Sequence, residues 1–300
     1  MRLRDLGEFD LIDRIAGRIK VSPRVLKGIG DDAAVLRYKK DRFLLFTTDM
    51  LVEKRHFYRR SGGYLIGKKA LSVNISDIAA MGGLPGCALI ALGLPASLDV
   101  RYVDELYRGM REIAREFKID LAGGDIVGSE KIIIDIALLG EVERKSIVLR
   151  SGAKEGDSIF LTGAIGGALK GRHLTFKPRL KEARFLVRRF KIHSMIDVSD
   201  GLLADIGHIL RSSQVGAVIY EKDIPLSKDA KDFDSGVTDG EDFELVFTMS
   251  QAEGKRLEEI WPFKTRISKI GEIKNTRKRL ILVRKSGRKK RIRSLGYTHF

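Results

Sequence analysis

The sequence has little of the chemistry that holds secreted or metal-cluster proteins together, because its 300 residues include one cysteine, Cys87. One thiol cannot build an internal disulfide framework or a thiolate metal cluster. No apolar run approaches the ~20 residues of a membrane-spanning helix, and the longest, Ala88 to Leu94, has the length of a strand. The N-terminus mixes acids with apolar residues at helical spacing, unlike a signal peptide. We therefore expect a cytoplasmic protein that needs no membrane.

Proline is also scarce, with 6 residues against 31 glycines, and the length exceeds that of a usual single domain. Apolar periodicity predicts helices at Leu6–Ile19, Tyr64–Met81 and Val100–Phe117, with buried strands between them. A glycine-rich change of pattern between residues 143 and 156 marks a boundary. The fold class predicted is α/β (α+β) with mixed sheets and helices in two domains, 1–145 and 146–300.

Positive charge is concentrated near the end of the chain, which carries a net charge of +16. Residues 271–295 hold eleven Lys or Arg against one Glu, Glu272. The pattern predicts two strands joined at Ser286-Gly287, with the bases on the solvent side. RNA binding is the alternative, but the segment lacks aromatic residues on which bases could stack. We favour a solvated edge hairpin and expect no nucleic-acid partner.

One segment imitates a phosphate-binding P-loop. Gly62-Gly63-Tyr64-Leu65-Ile66-Gly67-Lys68 has the right glycines and lysine, but Lys69 follows where a magnesium-binding Ser or Thr belongs. The residues before it do not form a buried strand. We therefore interpret the segment as the start of a helix.

Acids at the ends of apolar strands are the strongest signal for function. They occur in GIGDD (28–32), TTD (47–49), NISD (74–77), a predicted tight turn GGD (123–125) and DVSDG (197–201). Each motif has an ordinary structural alternative, since Gly-Asp turns are common and Asp197 or Ser199 can cap the next helix. Five such sites together favour a functional reading, because buried acids are costly unless they are paired or metal-bound.

Magnesium and a polyphosphate would explain why these residue types converge. Mg²⁺ prefers hard oxygen ligands and is held by a few carboxylates together with phosphate oxygens. Backbone amides at glycine turns and at the start of the helix after Gly201 can receive phosphates. Arg150 offers a cation for the same ligand. The residues alone predict a site for magnesium and ATP.

The residues and the order of these motifs resemble those of the thiamine-monophosphate kinases, in the superfamily of aminoimidazole-ribotide synthetase-like ATP enzymes. The segments that carry the resemblance are GEFDLI, GIGDDAA, TTDML with His56, ALSVNISDIAAMGG, AGGD, RSGAKEGD, IDVSDGLLADIGHI, GEDFEL and the terminal GYTHF. They extend over nearly the whole chain.

The resemblance implies phosphorylation of thiamine monophosphate by ATP with several Mg²⁺ ions, in a homodimer whose N-terminal sheets pair. It implies that magnesium is held by eight residues: Asp32, Thr47, Thr48, Asp49, Asp77, Asp125, Asp197 and Asp200. ATP would be contacted by Tyr107, Gly124, Asp125, Arg150 and Ser199. The thiamine-phosphate site would be lined by His56, Glu241 and Tyr297.

Two departures from the family pattern affect the second domain. The helical stretch that usually follows TGAIGG is short here, since Gly171-Arg172-His173-Leu174 comes soon after Gly167. The glycine pair before the family's Glu-Asp is Asp239-Gly240 here. The magnesium motifs themselves are intact.

Rival functions exist inside the superfamily. Selenophosphate synthetase-like enzymes would need a reactive cysteine near the N-terminus, and hydrogenase-maturation relatives would need a C-terminal one, whereas this chain ends in Phe300. Aminoimidazole-ribotide synthetase is disfavoured by GEDFEL and GYTHF. The acceptor phosphate is largely ionised at neutral pH, so direct in-line transfer needs no general base.

Overall fold

The computed structural model describes residues 2–276 and 278–292. The first domain contains a six-stranded sheet in the order β1-β2-β3-β6-β4-β5. Its elements are α1 (Leu3–Leu6), α2 (Glu8–Ala16), β1 (Val25–Lys27), β2 (Ala34–Arg37), β3 (Arg42–Val52), α3 (Gly63–Ala80), β4 (Leu84–Leu94), α4 (Val100–Phe117), β5 (Asp120–Gly128) and β6 (Ile133–Glu143).

The second domain contains a seven-stranded sheet in the order β13-β12-β9-β11-β7-β10-β8. Its elements are β7 (Ser158–Thr162), α5 (Leu180–Arg189), β8 (Ser194–Asp197), α6 (Leu202–Ser213), β9 (Gly216–Tyr220), α7 (Phe233–Thr238), β10 (Leu245–Met249), α8 (Gln251–Ile260), β11 (Ile267–Lys274), β12 (Leu280–Val283) and β13 (Lys289–Ile292). Both sheets are mixed, because β4 runs parallel to β5 and β12 runs parallel to β9. The predicted fold class is confirmed.

Helix α3 is the element that joins the two domains. It is apolar on most faces, as expected of a helix that is covered on all sides, and Ile66, Leu71 and Ile75 are fully buried. It packs on β3 and β6 of its own sheet and on α5 and β8 of the second domain. One apolar core therefore extends across the domain boundary, and reaches Phe243 and Phe247 in the second domain.

Glycines allow α3 and α4 to pack at very short range. A Cβ added at Gly67 would lie 2.0 Å from the carbonyl oxygen of Leu106, and one added at Gly109 would lie 2.0 Å from that of Tyr64. Both obstacles are backbone atoms, which cannot move aside as a flexible side chain can. Gly63 and Gly67 of the imitation P-loop are thus explained by helix packing.

Several predicted elements are confirmed and some need correction. The helix Val100–Phe117 forms as predicted, with Asp99 accepting a hydrogen bond from Arg101 N at 2.8 Å. The predicted N-terminal helix is wrong in its bounds, because Gly7 with φ of 81° separates α1 from α2. No helix among the described residues is long and apolar enough to cross a bilayer.

The predicted tight turn at Gly123-Gly124-Asp125 is also wrong, since these residues lie inside the strand β5. Gly124 serves the close approach of β5 to β4, because a Cβ there would lie 1.7 Å from the Ile90 carbonyl oxygen. A strand with two glycines and an acid carries few of the β-branched residues typical of strands. That composition misled the prediction.

The basic segment forms the predicted hairpin at the edge of the second sheet. Strands β12 and β13 are antiparallel, and Gly287 turns with φ of 82°. Lys289, Lys290 and Arg291 are exposed. After Gly167 the short connection forms two 3-10 turns, Ala168–Lys170 and Arg172–Leu174, where the family pattern suggested a longer helix.

The α3–α4 contact yields a test with a matched control. We expect Gly67→Ala to lower the free energy of unfolding by about 3 kcal/mol, the upper range for overpacking a core. Gly207→Ala, in α6, should raise it by about 0.5–1 kcal/mol, because a Cβ there meets open space and alanine favours helix. Urea unfolding of both variants checks this. Equal effects at the two positions would contradict the packing described here.

Candidate functional site

A cleft of about 330 Å³ lies between the two domains and is lined by acids from both. The first domain contributes Asp49, on the face of β3 that packs against α3, and Asp77, on α3 itself. The second domain contributes Asp197, at the end of β8, together with Ser199, Asp200 and Glu241. Acids far apart in the sequence therefore meet at one place.

Three of the acids form a compact group. One carboxylate oxygen each from Asp32, Asp77 and Asp197 lies within 4.8 Å of the others. Asp32 precedes β2, so the group draws on a loop, a helix and a strand end. Asp32 and Asp197 are buried, at 7% and 2% exposure. Carboxylates this close repel one another unless positive charge lies among them.

Hydroxyl groups and one guanidinium orient these carboxylates. Thr47 Oγ1 donates to Asp77 Oδ2 at 2.5 Å, and Ser76 Oγ donates to Asp197 Oδ2 at 2.5 Å. Arg150 donates from Nε and Nη2 to Asp32 Oδ1, at 3.1 and 2.6 Å. Hydrogen bonds to the charged form hold each acid with a defined side towards the cleft.

The raised pKa values of the cleft acids indicate that positive charge nearby compensates their negative charge poorly. Burial raises the pKa of Asp77 well above its ordinary value, and the charges of Asp49 and Asp197 raise it further. Burial raises the pKa of Asp197 to about 8, with the charge of Asp32 as the next cause. Burial likewise raises the pKa of Asp49 and of Asp200 to about 6.

The donor set fits a divalent cation. The nearest positive charges, Arg150 and Lys69, already pair with Asp32 and Glu241. The Oδ2 atom of Asp32 is buried and has no hydrogen-bond partner in the part of the chain that the structure describes. Carboxylate oxygens with hydroxyl groups are hard ligands of the kind Mg²⁺ prefers. These residues can therefore hold magnesium.

A second acidic group adjoins the first at the start of α6. Asp200, Asp205 and His208 bring ligand atoms within 4.8 Å of one another, and the Asp200 backbone N–H donates to Asp205 Oδ2 at 3.2 Å. Burial lowers the pKa of His208 to about 3, helped by the charge of Arg150. Its imidazole is therefore neutral at physiological pH. The contact to Asp205 fixes the turn that presents Asp200.

The structure gathers most of the predicted site residues in the cleft or on its wall. It brings together Asp32, Thr47, Asp49, His56, Asp77, Arg150, Asp197, Ser199, Asp200 and Glu241. His56 Nδ1 accepts from Val52 N at 2.9 Å, which fixes the ring beside the end of β3. Tyr297 lies outside the described residues.

Thr48 and Asp125 lie on the opposite face of the first sheet, which we call the outer face. Thr48 Oγ1 donates to Asp135 Oδ1 at 2.8 Å, away from Asp49, because successive side chains of a strand point to opposite sides. Asp125 is exposed on the edge strand β5. Three strand spacings separate β3 from β5, or about 14 Å. Within one chain these two residues do not join the cleft acids.

The remaining predicted ATP contacts also lie elsewhere in the first domain. Tyr107 is half-buried on α4 and packs against the apolar core. Gly124 lies in β5 beside Ile90. Neither lines the cleft in one chain, so their contact with ATP stays a prediction.

Sequence reasoning missed two residues of the site. Asp205 lies three positions before His208 on α6, a spacing that places both on one helical face. From the sequence, Lys69 was noted only as the residue that does not fit the P-loop pattern. Its side chain is fully buried between the domains. A lysine inside an otherwise apolar helix was the available signal.

Comparisons with known proteins agree along the chain. The AIR synthase related protein family matches in two parts, its N-terminal domain at residues 30–142 and its C-terminal domain at residues 148–283. The thiamine-monophosphate kinase of Rhodopirellula baltica is 38% identical over 262 residues, which cover 81% of this chain and 82% of that protein. That of Aquifex aeolicus is 37% identical over 275 residues, with 83% and 87% covered.

A solved structure described as "AaThiL complexed with AMPPCP and TMP" is similar over the whole chain. The TM-score is 0.87 at 34% sequence identity, with 100% of this chain and 99% of that chain covered. The similarity therefore includes both sheets and their relative arrangement.

The crowding of acids predicts an unusual response to magnesium. In EDTA we expect Asp77→Asn to raise the melting temperature by at least about 2 °C, the effect of about 1 kcal/mol in a chain of this size. The reason is that asparagine needs neither a desolvated charge nor an added proton where several carboxyl groups crowd together. MgCl₂ should raise the melting temperature of the wild type more than that of the variant, because ligands that bind the folded state stabilise it.

Asp41→Asn is the matched control, since that carboxylate is 76% exposed and outside the cleft. It should leave both melting temperatures unchanged. An Asp77→Asn protein that is less stable in EDTA and keeps the full magnesium response would show that the cleft acids do not form a cation site.

Proposed function

This chain belongs to the AIR synthase related family and, within it, to the thiamine-monophosphate kinases, and on this premise we propose how its cleft works. It transfers the γ-phosphoryl group of ATP to thiamine monophosphate, which yields thiamine diphosphate and ADP. ATP is a cytoplasmic substrate, and we assign the reaction to that compartment.

The crowding of Asp32, Asp77 and Asp197 is the observation that carries this function. Both substrates are polyanions, and bringing them together in an already acidic cleft requires added positive charge. Magnesium would be held by Asp32, Thr47, Asp49, Asp77, Asp197 and Asp200. When bound, it supplies charge neutralisation for the phosphates.

The protein's own groups position the reactants. Arg150 contacts phosphate oxygens of ATP from its place beside Asp32, and Ser199 lies at the turn before α6. Helix α6 begins at Leu202, directly after Asp200 and Gly201, and helix N-termini attract anions. The acceptor phosphate has a second pKa near 6 and is ionised at neutral pH, so it attacks in line without a general base or a phosphoenzyme.

The acceptor lies against His56 and Glu241, with Tyr297 as a third contact. Glu241 is an anion at neutral pH: although burial raises its pKa, the neighbouring Lys69 helps to lower it below the ordinary value. A fixed carboxylate suits the cationic thiazolium ring of thiamine. We propose residues 1–145 and 146–300 as the two domains that form this cleft.

The outer face of the first sheet is the surface we propose for the homodimer. Phe46 on β3 and Leu89 on β4 are 45% and 51% exposed there, and exposed apolar side chains grouped on one face often mark an interface. Pairing of two such faces would enclose Thr48 and Asp125. A subunit interface is thus a place where these two residues, with Gly124 and Tyr107, could reach ATP or magnesium.

An assay of the purified protein tests the activity. With MgCl₂, ATP and thiamine monophosphate, we expect ADP and thiamine diphosphate in equal amounts. Asp77→Asn should lower kcat by about 10³-fold with the fold intact, while Asp41→Asn should match the wild type. If the protein turned over an aminoimidazole precursor and not thiamine monophosphate, our assignment within the superfamily would be wrong.

The oligomeric state tests the interface. We expect the wild type to elute as a dimer in size-exclusion chromatography with light scattering. Leu89→Glu should yield monomers, because a charge would be buried without a partner. Val100→Glu is the control, since Val100 is 72% exposed at the start of α4. A Leu89→Glu protein that stays dimeric would exclude the outer face.

A further inference from the structure

The Lys69 side chain is fully buried, at 0% exposure, and the mechanism proposed above gives it no contact with either substrate. Burial lowers its pKa, while the charges of Glu241 and Asp49 act in the opposite direction. Burying an ammonium group is costly unless it is paired and hydrogen-bonded. The contacts of the Lys69 ammonium group explain how its charge is stabilised in this buried place.

The ammonium group has three polar partners, one of them an ion-pair partner. Lys69 Nζ pairs with Glu241 Oε2, donates to the His56 backbone oxygen at 2.8 Å, and lies 3.0 Å from His173 Nδ1. Since an ammonium group can only donate, His173 Nδ1 accepts and its ring proton is on Nε2. A buried lysine with three such partners holds them in place relative to one another.

The partners of Lys69 come from both domains. His56 follows β3 in the first domain, whereas His173 and Glu241 belong to the second. Lys69 lies seven residues before Ser76 on α3, so both face the cleft from the same side of the helix. The ammonium group is therefore an ionic connection across the domain boundary, beside the pocket that contains His56 and Glu241.

Glu241 adopts a backbone conformation that requires support. Its φ is 70°, and that of Phe243 is 51°, both in the left-handed region that non-glycine residues rarely occupy. Backbone bonds to Ser199 and Val198, at 2.7 and 2.8 Å, hold this segment against the turn that carries Asp200. Such conformations persist only where surrounding contacts enforce them, and they cluster at functional sites.

From these contacts we propose that Lys69 is a positioning residue for the acceptor substrate. Its ammonium group fixes the Glu241 carboxylate and the His56 backbone in the relative arrangement that receives thiamine monophosphate. Binding of ATP does not depend on it, because Lys69 contacts neither Arg150 nor Ser199 among the described residues. This inference rests on the proposed function and extends it to a residue outside the metal site.

Calorimetry with separate ligands tests the proposal. With MgCl₂ and AMPPCP present, we expect Lys69→Met to weaken binding of thiamine monophosphate by about tenfold or more, the effect of one charge-assisted hydrogen bond. Its Kd for AMPPCP should stay within about twofold of the wild type. In steady-state assays the KM for thiamine monophosphate should rise while the KM for ATP does not.

The neighbouring residue offers a matched control. Lys68 points away from the cleft and pairs with Glu112 on α4 at 2.9 Å, so Lys68→Met should bind both ligands like the wild type. Because Lys69→Met leaves a buried carboxylate unpaired, it is compared with Lys69→Met/Glu241→Gln, which removes both charges. The double variant should fold and still bind thiamine monophosphate weakly.

The outcomes separate the two proposals. Failure of the wild type to bind thiamine monophosphate would overturn the proposed function and this inference with it. Wild-type affinity for thiamine monophosphate in Lys69→Met, or equal losses for both ligands, would overturn the inference alone. If neither Lys69 variant folds while Lys68→Met does, Lys69 serves stability only and the inference is wrong.

Discussion

Repulsion among buried carboxylates is the constraint on which the rest of this structure depends. The three closest acids come from a loop, a helix and a strand end, and their oxygens lie within 4.8 Å. Folding must therefore force like charges together, and apolar packing elsewhere must supply the free energy. The shared core that extends from the first domain to Phe247 provides that packing. The acids can be crowded because the apolar core around them supplies that free energy.

Different faces of helix α3 serve helix packing and the acidic cleft. One face carries Gly63 and Gly67 against α4, at distances that leave no room for a side chain. Another carries Lys69, Ser76 and Asp77 towards the cleft, where they contact both domains. A shift of the helix would disturb the metal group and the acceptor wall together. Tight glycine packing on one face thus sets the geometry of the chemistry on the other.

The basic and the acidic residues of this protein are concentrated in different places and have different roles. Six basic residues of the 271–295 segment lie on the edge hairpin β12–β13, residues 280–292. The acids that define the cleft are a minority of the charge but are buried, where electrostatic interactions are stronger. Net charge alone would have favoured a nucleic-acid partner. Burial, which composition does not record, decides which charges determine function.

The sequence by itself determined the local elements and the chemical class of the site. Periodicity located α4 and the edge hairpin, and acids after apolar strands indicated magnesium and a polyphosphate. It also named most of the residues that meet in the cleft, because their motifs are short and local. The break at Gly7 and the strand at Gly123-Gly124 escaped it, since glycine fits both turns and close strand contacts.

Only the tertiary structure decided which face of the first sheet borders the cleft, and so left Thr48 and Asp125 on the face away from it. It also decided that Lys69 is an ionic link between domains, because a lysine's role depends on the acceptors that distant segments bring to it. Those acceptors, His56, His173 and Glu241, are spread over more than a hundred residues of sequence. A local sequence pattern does not show that these residues contact one another, because tertiary packing brings them together.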